Sequence, residues 1–271
     1  MEATSTTDAR TSATAGPLRR FAVRRHARAR LVCLPHAGGS ASQFRRWAVD
    51  APWDVEILVA QYPGREDRYG EAAHVTMSGL VAELLPAVMT DHGSLSACPT
   101  VLFGHSMGAS VAYELACRLT ALGTPPAGLV VSGQPGPARL RRTTLHSEDD
   151  DELIADLSRL RGTGEAVLRD RTLLGALLPV IRSDYRLIET YRPPAHRPLA
   201  IPVTALRGSD DPEADAAEVA AWHEVTTGQF DVCALPGDHF ALLDPNGPVL
   251  ARTMTAVRSA VTAIVALPSA P

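Results

Sequence analysis

The residues Gly104-His105-Ser106-Met107-Gly108 follow a short apolar run and precede a helical pattern. A serine at the centre of such a G-x-S-x-G sequence sits on a sharp strand-to-helix turn, which exposes its hydroxyl oxygen above a sheet. The two glycines let the strand and the helix pass closely, and the helix start directs the Met107 amide toward a developing oxyanion. This spacing predicts that Ser106 is a nucleophile.

A nucleophilic serine needs a base, and where this turn occurs the chain order is serine, acid, histidine. His239 follows an apolar strand pattern and the turn Pro236-Gly237-Asp238. Loops at the carboxyl ends of strands commonly hold functional side chains, so we expect His239 to be the base. His105 is expected to point away from the nucleophile. The remaining histidines after Ser106 flank a helical segment or lie within a helical pattern: His146, His196 and His223.

The acid that orients the base should end the preceding strand. There, Val203–Leu206 runs into Arg207-Gly208-Ser209-Asp210-Asp211-Pro212. Spacing alone does not separate Asp210 from Asp211, and one of the two is expected only to cap the helix that follows. Asp238, beside the base, is a third candidate.

A second oxyanion donor should come from the loop Pro35-His36-Ala37-Gly38-Gly39-Ser40-Ala41, which follows the first apolar strand pattern. Its glycines allow the main chain to turn its amides inward, and Ala37 is the predicted donor beside Met107. His36 is expected to make a structural hydrogen bond within this loop.

Short apolar runs that alternate with longer helical patterns must position these residues, and that alternation predicts parallel βαβ units. The predicted strands are Leu31–Leu34, Val55–Gln61, Thr100–Phe103, Gly128–Val131, Val203–Leu206 and Phe230–Ala234. The predicted helices are Ser42–Val49, Met77–Met89, Ala109–Leu122, Glu213–Thr226 and Pro248–Val265. We therefore predict an α/β fold with a mostly parallel central sheet and helices on both faces.

Residues 137–198 interrupt this alternation because they contain helical patterns and no strand pattern. Ser147 and the acids after it resemble a helix start. A second helical run covers Leu173–Tyr191, and Pro179 is expected to kink or restart it. We interpret this segment as a helical lid over the site.

Composition narrows the function classes. The chain has 271 residues, of which 45% are hydrophobic and 21% charged, and its formal net charge of -4 gives no indication of a nucleic-acid partner. Its four cysteines lie far apart without metal-ligand spacing, which is typical of free thiols in a reducing compartment. No apolar stretch has the length of a membrane span. We expect a cytoplasmic monomer, with a disordered leader over 1–18 and one hydrolase domain over 19–271.

Together these motifs resemble the type II thioesterases of polyketide synthase and non-ribosomal peptide synthetase systems. The resemblance rests on the Pro35–Ala41 loop, on Gln61-Tyr62-Pro63-Gly64-Arg65-Glu66, on the serine turn and on Leu235-Pro236-Gly237-Asp238-His239-Phe240. It covers the chain from about Arg30 to Asp244 and implies an α/β-hydrolase fold. Asp238, before the histidine, departs from the family pattern.

The resemblance implies a triad of Ser106, Asp211 and His239, and so favours Asp211 over Asp210. It also implies that residues 137–198 cover an acyl chamber, and that neither a cofactor nor a metal is needed. The expected substrate is an acyl chain held as a thioester on the phosphopantetheine arm of an acyl or peptidyl carrier protein. Either aberrant acyl units or a finished product would be released. The alternatives are a carboxylesterase, a chain-terminating acyltransferase, and a non-catalytic binding protein on the same scaffold.

Overall fold

The computed structural model describes residues 16–91, 98–161, 165–244 and 246–265. The first fifteen residues, most of the predicted leader, lie outside them. Within the described residues, seven strands form one sheet in the order β1-β3-β2-β4-β5-β6-β7. The strands are β1 Leu18–Arg19, β2 Ala29–Leu34, β3 Val55–Ala60, β4 Thr100–His105, β5 Gly128–Ser132, β6 Val203–Gly208 and β7 Phe230–Leu235. All neighbouring pairs are parallel except β1 with β3, so the mostly parallel sheet predicted from the sequence is confirmed.

Helices cover both faces of the sheet because its central strands alternate between two apolar cores. In β2, Val32 and Leu34 belong to one core, while Leu31 and Cys33 belong to the other. The helices are α1 Arg45–Asp50, α2 Met77–Asp91, α3 Met107–Ala121, α4 Asp150–Leu160, α5 Glu165–Arg169, α6 Arg171–Thr190, α7 Ala216–Ala220 and α8 Pro248–Val265. Helices α2 and α3 pack into the first core and α8 into the second, as a sheet buried on both faces requires.

Three elements differ from the sequence-based prediction. The predicted helix Ser42–Val49 is a 3-10 segment, Ala41–Phe44, followed by α1. The short strand β1 was not predicted, because two residues on an antiparallel edge carry no readable alternation. The predicted helix Glu213–Thr226 is the single turn and a half of α7 followed by a 3-10 segment, Ala221–Val225. It begins late because Asp215 accepts a hydrogen bond from the Glu218 amide and forms a capping box there.

Helices α4, α5 and α6 lie between β5 and β6, and we call them the helical insertion. Asp149, rather than the predicted Ser147, caps α4, since its side chain accepts from the Glu152 amide. Helix α6 continues through Pro179, where a kink or restart was predicted. The insertion has its own apolar cluster, built from Leu153, Leu157, Leu174, Leu178 and Ile181. It therefore packs partly on itself, while Leu187 of α6 belongs to the first core of the sheet.

No helix in the described ranges has both the length and the apolarity that a membrane crossing requires.

Candidate active site

Ser106 occupies the turn between β4 and α3 in a strained backbone conformation. Its φ of 53° and ψ of -125° lie outside the regions that L-residues ordinarily adopt. Its amide donates to the carbonyl of Ser132 at 2.8 Å, and its carbonyl accepts from the Ala109 amide at 2.8 Å. The surrounding hydrogen bonds thus hold a conformation that the residue would otherwise avoid, as is common for functional residues.

The two glycines around Ser106 are required by the packing of the backbone. A Cβ atom on Gly104 would lie 2.1 Å from the carbonyl oxygen of Gly108. A Cβ atom on Gly108 would lie 2.1 Å from the carbonyl oxygen of Leu34. Real Cβ atoms essentially never approach a neighbour below 3.0 Å. Only glycine therefore lets α3 start this close to both β4 and the end of β2.

His239 and Asp211 form a buried pair at the carboxyl ends of β6 and β7. The His239 Nδ1 donates to the two carboxylate oxygens of Asp211, at 3.0 Å and 2.9 Å. The carboxylate accepts only, so Nδ1 carries the proton and Nε2 is left as the nitrogen able to take another. Asp211 Oδ1 also accepts from the Glu213 amide at 2.8 Å. This is the arrangement in which an acid fixes the tautomer of a general base.

The other candidate acids have different partners. Asp210 is exposed and accepts from the hydroxyl of its neighbour Ser209 at 3.0 Å. Asp238 Oδ1 accepts from the Ala241 amide at 3.0 Å and so caps the short 3-10 turn after the histidine. Of the three carboxylates, only that of Asp211 has a hydrogen bond to His239 in the described structure.

The remaining histidines after Ser106 also have other partners. His146 contacts Glu189, His196 contacts Glu114, and His223 hydrogen-bonds a carbonyl of its own helical segment.

Two further histidines pack around His239. The ring centroids of His105 and His239 are 4.7 Å apart, and Phe240 stands perpendicular to His239 at 5.0 Å. Burial, followed by the charges of His239 and Arg65, lowers the pKa of His36 to about 3. Burial, His239 and His36 hold the pKa of His105 well below its usual range. Both imidazoles are therefore uncharged, and they pack behind the base without adding a second positive charge.

The expected hydrogen bond of His36 within its loop is long. Its Nε2 lies 3.5 Å from the side-chain nitrogen of Gln43, and its buried Nδ1 has no hydrogen-bond partner in the described ranges.

The loop from Pro35 to Ala41 is held by side chains that motif analysis did not assign. The Gly38 amide donates to Asp184 Oδ2 at 2.7 Å, and Arg65 Nη1 donates to the Gly39 carbonyl at 3.0 Å. Gln61 Oε1 accepts from the Ala41 amide at 2.6 Å. Polar groups from two distant parts of the chain thereby fix the course of this loop.

A cleft of about 330 Å³ opens over the serine turn, and Ala37, Ser106, Met107 and His239 all line it. The structure thus brings four of the five predicted site residues to one cavity, with Asp211 behind the histidine. Met107 is the first residue of α3, and the N–H groups of a helix's first turn have no partner within the helix. Its amide and that of Ala37 are the donors predicted from the sequence, and both residues line the cleft.

The helical insertion contributes one wall of the cleft, where polar side chains lie beside Leu160 and Ile188. Tyr185 donates to Asp156 Oδ2 at 2.7 Å, and Arg159 Nη2 donates to Asp156 Oδ1 at 2.6 Å. Arg159 Nη2 also donates to Glu213 Oε1 at 2.6 Å. Burial and Asp156 raise the pKa of Tyr185, so its hydroxyl stays protonated. This chain of contacts joins α6 and α4 to the loop that carries Asp211.

A serine hydroxyl, an imidazole hydrogen-bonded to a carboxylate, and backbone amides at one cleft are the groups that nucleophilic acyl transfer uses. Within the described residues, no group of three or more His, Cys, Asp or Glu side chains has an arrangement that would hold a metal ion.

Asp184 and Arg159 are the contributors that sequence reasoning missed. Asp184 had a detectable signal, since it shares the buried side of α6 with Ile181 and Leu187, at helical spacing. A carboxylate on an apolar face requires a cationic partner. Arg159, half-exposed among other arginines, had no comparable signal.

Known proteins are similar to this chain in sequence and in fold. A family model described as a thioesterase domain matches residues 29–257. The chain is 43% identical over 233 residues to thioesterase PikA5 of Streptomyces venezuelae, covering 84% of this chain and 80% of the relative. It is 43% identical over 213 residues to a probable cadicidin biosynthesis thioesterase of Streptomyces griseus, covering 79% of this chain but 58% of that relative. The structure of the type II thioesterase BorB from the borrelidin biosynthetic cluster has a TM-score of 0.81 and 39% identity, covering 89% of this chain and 97% of that one.

Proposed function

Because this chain belongs to the thioesterase domain family, among the type II thioesterases of polyketide and non-ribosomal peptide biosynthesis, we propose that it hydrolyses carrier-bound acyl thioesters. The substrate is an acyl chain on the phosphopantetheine arm of an acyl or peptidyl carrier protein. The observation that carries the proposal is the shared cleft, which is lined by Ser106 on its strained turn, by His239, paired with Asp211, and by Ala37 and Met107.

In the acylation step, His239 Nε2 takes the hydroxyl proton as Ser106 Oγ attacks the thioester carbonyl carbon. The carbonyl electron pair moves to oxygen, and the amides of Ala37 and Met107 stabilise that oxyanion. Asp211 holds the imidazole and stabilises the imidazolium. The tetrahedral intermediate then collapses, the C–S bond breaks, and the pantetheine thiol leaves with the proton from His239.

Deacylation repeats these steps with water. His239 takes a proton from water as the water oxygen attacks the acyl-serine carbonyl carbon, and the same two amides bind the second oxyanion. The C–O bond to Ser106 then breaks, the serine recovers its proton, and the acid leaves.

The helical insertion would act as a lid over the acyl chain, since it forms one wall of the cleft. The names of the probable cadicidin biosynthesis thioesterase and of BorB, from the borrelidin biosynthetic cluster, place those two proteins in biosynthetic systems, and this supports a role in releasing acyl units from a synthase. The proposal includes the cytoplasmic location and the monomeric state expected from the sequence.

Replacement of the nucleophile tests the proposal. Ser106→Ala should abolish release of acyl groups from a loaded carrier protein and labelling by a fluorophosphonate, which forms an Oγ–P bond as fluoride leaves. Ser158→Ala, an exposed serine on α4, is the matched control and should retain both. Turnover by Ser106→Ala near the wild-type rate would exclude this assignment.

Substrate comparison separates the carboxylesterase and binding-protein alternatives from the thioesterase. The wild-type protein is assayed with acyl-carrier protein, with the acyl N-acetylcysteamine thioester and with a p-nitrophenyl ester of the same acyl group. A thioesterase of this kind should have its highest kcat/KM on the carrier-bound thioester. A preference for the oxygen ester would favour a carboxylesterase, and absence of both turnover and fluorophosphonate labelling would favour a binding protein.

A further inference from the structure

The pair Arg65 and Asp184 is the most deeply buried ion pair joining the helical insertion to the rest of the molecule in the described structure. Its two contacts, Nη1 to Oδ2 and Nη2 to Oδ1, are both 2.9 Å. The two side chains are 6% and 3% exposed. Arg65 follows β3, whereas Asp184 lies in the middle of α6. A parallel, two-point contact of this kind fixes the relative orientation of both groups.

The same two side chains also bind the main chain of the loop that presents Ala37. Asp184 Oδ2 accepts from the Gly38 amide at 2.7 Å, and Arg65 Nη1 donates to the Gly39 carbonyl at 3.0 Å. Gly38 has a φ of 74°, a conformation that is readily available only to glycine. Without these contacts, the loop would have other backbone conformations available at Gly38. The ion pair selects one of them.

The amide next to this anchor is that of Ala37, which lines the cleft beside Ser106. The His36 carbonyl, in the same peptide unit as the Ala37 amide, accepts from the Gly39 amide at 2.9 Å. A rotation of the backbone at Gly38 would therefore also turn the Ala37 N–H. The direction of this N–H matters mainly when the substrate carbonyl becomes an oxyanion.

We propose that Asp184 and Arg65 are positioning residues of the oxyanion hole, which hold the Ala37 amide toward the developing charge. The inference rests on the proposed function, because it gives Ala37 a role in acyl transfer. Removing an interaction that forms only in the transition state lowers kcat. Removing an interaction that is equally strong with the bound substrate and with the transition state changes only KM. Loss of the pair should therefore lower kcat and leave KM nearly unchanged.

The informative variant is Arg65→Met/Asp184→Leu. It removes both charges together and so leaves no unpaired buried charge, which is the main cause of unfolding when one partner is deleted. Asp184→Asn is the second variant, since it retains the shape and one acceptor oxygen for Gly38. The control is Arg46→Ala/Asp50→Ala, which removes a surface ion pair of α1.

The assay measures kcat and KM for butyryl-N-acetylcysteamine, and Ki for a trifluoromethyl ketone with the same arm. Ser106 Oγ adds to this ketone, its proton passes to His239, and the carbonyl electrons form a hemiketal oxyanion. We expect the double variant to lose roughly 10- to 100-fold in kcat, with KM within about twofold. Its Ki should rise by a similar factor, Asp184→Asn should show a smaller loss, and the control should match wild type.

Wild-type kcat and Ki in a folded double variant would overturn the inference and leave the proposed function intact. If the double variant does not fold, the same result with a folded Asp184→Asn protein would overturn it. So would a loss confined to KM. Failure of the wild-type protein to hydrolyse the thioester or to react with a fluorophosphonate would overturn the proposed function, and this inference with it.

Discussion

Gly108→Ala should reduce turnover far more than it reduces folding. The new Cβ atom would lie 2.1 Å from the Leu34 carbonyl oxygen and 2.6 Å from that of Pro35. Reaching a tolerable 3.0 Å from the first of these requires a displacement of about 0.9 Å. Both obstacles are backbone atoms, so the start of α3 and the loop bearing Ala37 must move apart.

A misplacement of about 1 Å in a catalytic arrangement can lower a rate by about 100-fold. The two proposed oxyanion donors, Met107 on α3 and Ala37 on the loop, lie on the two parts that must separate. We therefore expect kcat for butyryl-N-acetylcysteamine to fall by about 100-fold. Overpacking should cost about 1–3 kcal/mol in the free energy of unfolding, measured with urea.

Gly175→Ala is the matched control. A Cβ atom at Gly175, inside α6, meets no atom within 4 Å. This variant should be more stable by about 0.5–1 kcal/mol and fully active. A folded Gly108→Ala protein with kcat within about threefold of wild type would refute the steric reasoning.

Two other predictions concern the acid and the buried imidazoles. Asp211→Asn should lower kcat by about 10³- to 10⁴-fold by permitting the wrong tautomer of His239, whereas Asp210→Asn should stay within about twofold; the reverse order would identify Asp210 as the acid. The pKa of His36 is about 3 in the folded protein against 6.5 ordinarily, so the unfolded state binds more protons below about pH 6.5 and stability falls as the pH decreases through that value toward 3. Between pH 7.5 and pH 5, His36 should lower the free energy of unfolding of the wild type by about 2 kcal/mol. Over the same interval, the free energy of unfolding of His36→Gln, measured with urea, should therefore fall by about 2 kcal/mol less than that of the wild type. An identical pH dependence in both proteins would contradict the neutral state of His36.

The parts of the site that the sequence predicts are those set by local backbone geometry. At Gly104 and Gly108, any larger side chain would collide with backbone atoms of this turn or of the neighbouring strand end. The two glycines therefore make the turn recognisable in the sequence. The strand patterns were readable for a similar reason, because strands buried on both faces are continuous apolar runs. The family resemblance inferred from these motifs is confirmed by the thioesterase model.

What the sequence did not predict depends on contacts between distant residues. Arg65 and Asp184 are 119 positions apart, and nothing near either one identifies the other. The choice of Asp149 over Ser147 as the cap of α4 is a competition between two good capping residues two positions apart in a single turn. Strand β1 exists only because β3 offers it an edge.

The contacts of the helical insertion limit how this protein can be recombined with its relatives. Exchanging Asp150–Thr190 for the equivalent segment of another thioesterase would be a natural way to transfer acyl-chain preference. That exchange also removes the Asp184 contact with Gly38 and the Arg159 contact with Glu213, whose amide binds Asp211. We therefore expect a functional chimera to need a carboxylate at position 184 and a guanidinium at position 159, whatever the remainder of the grafted segment contains.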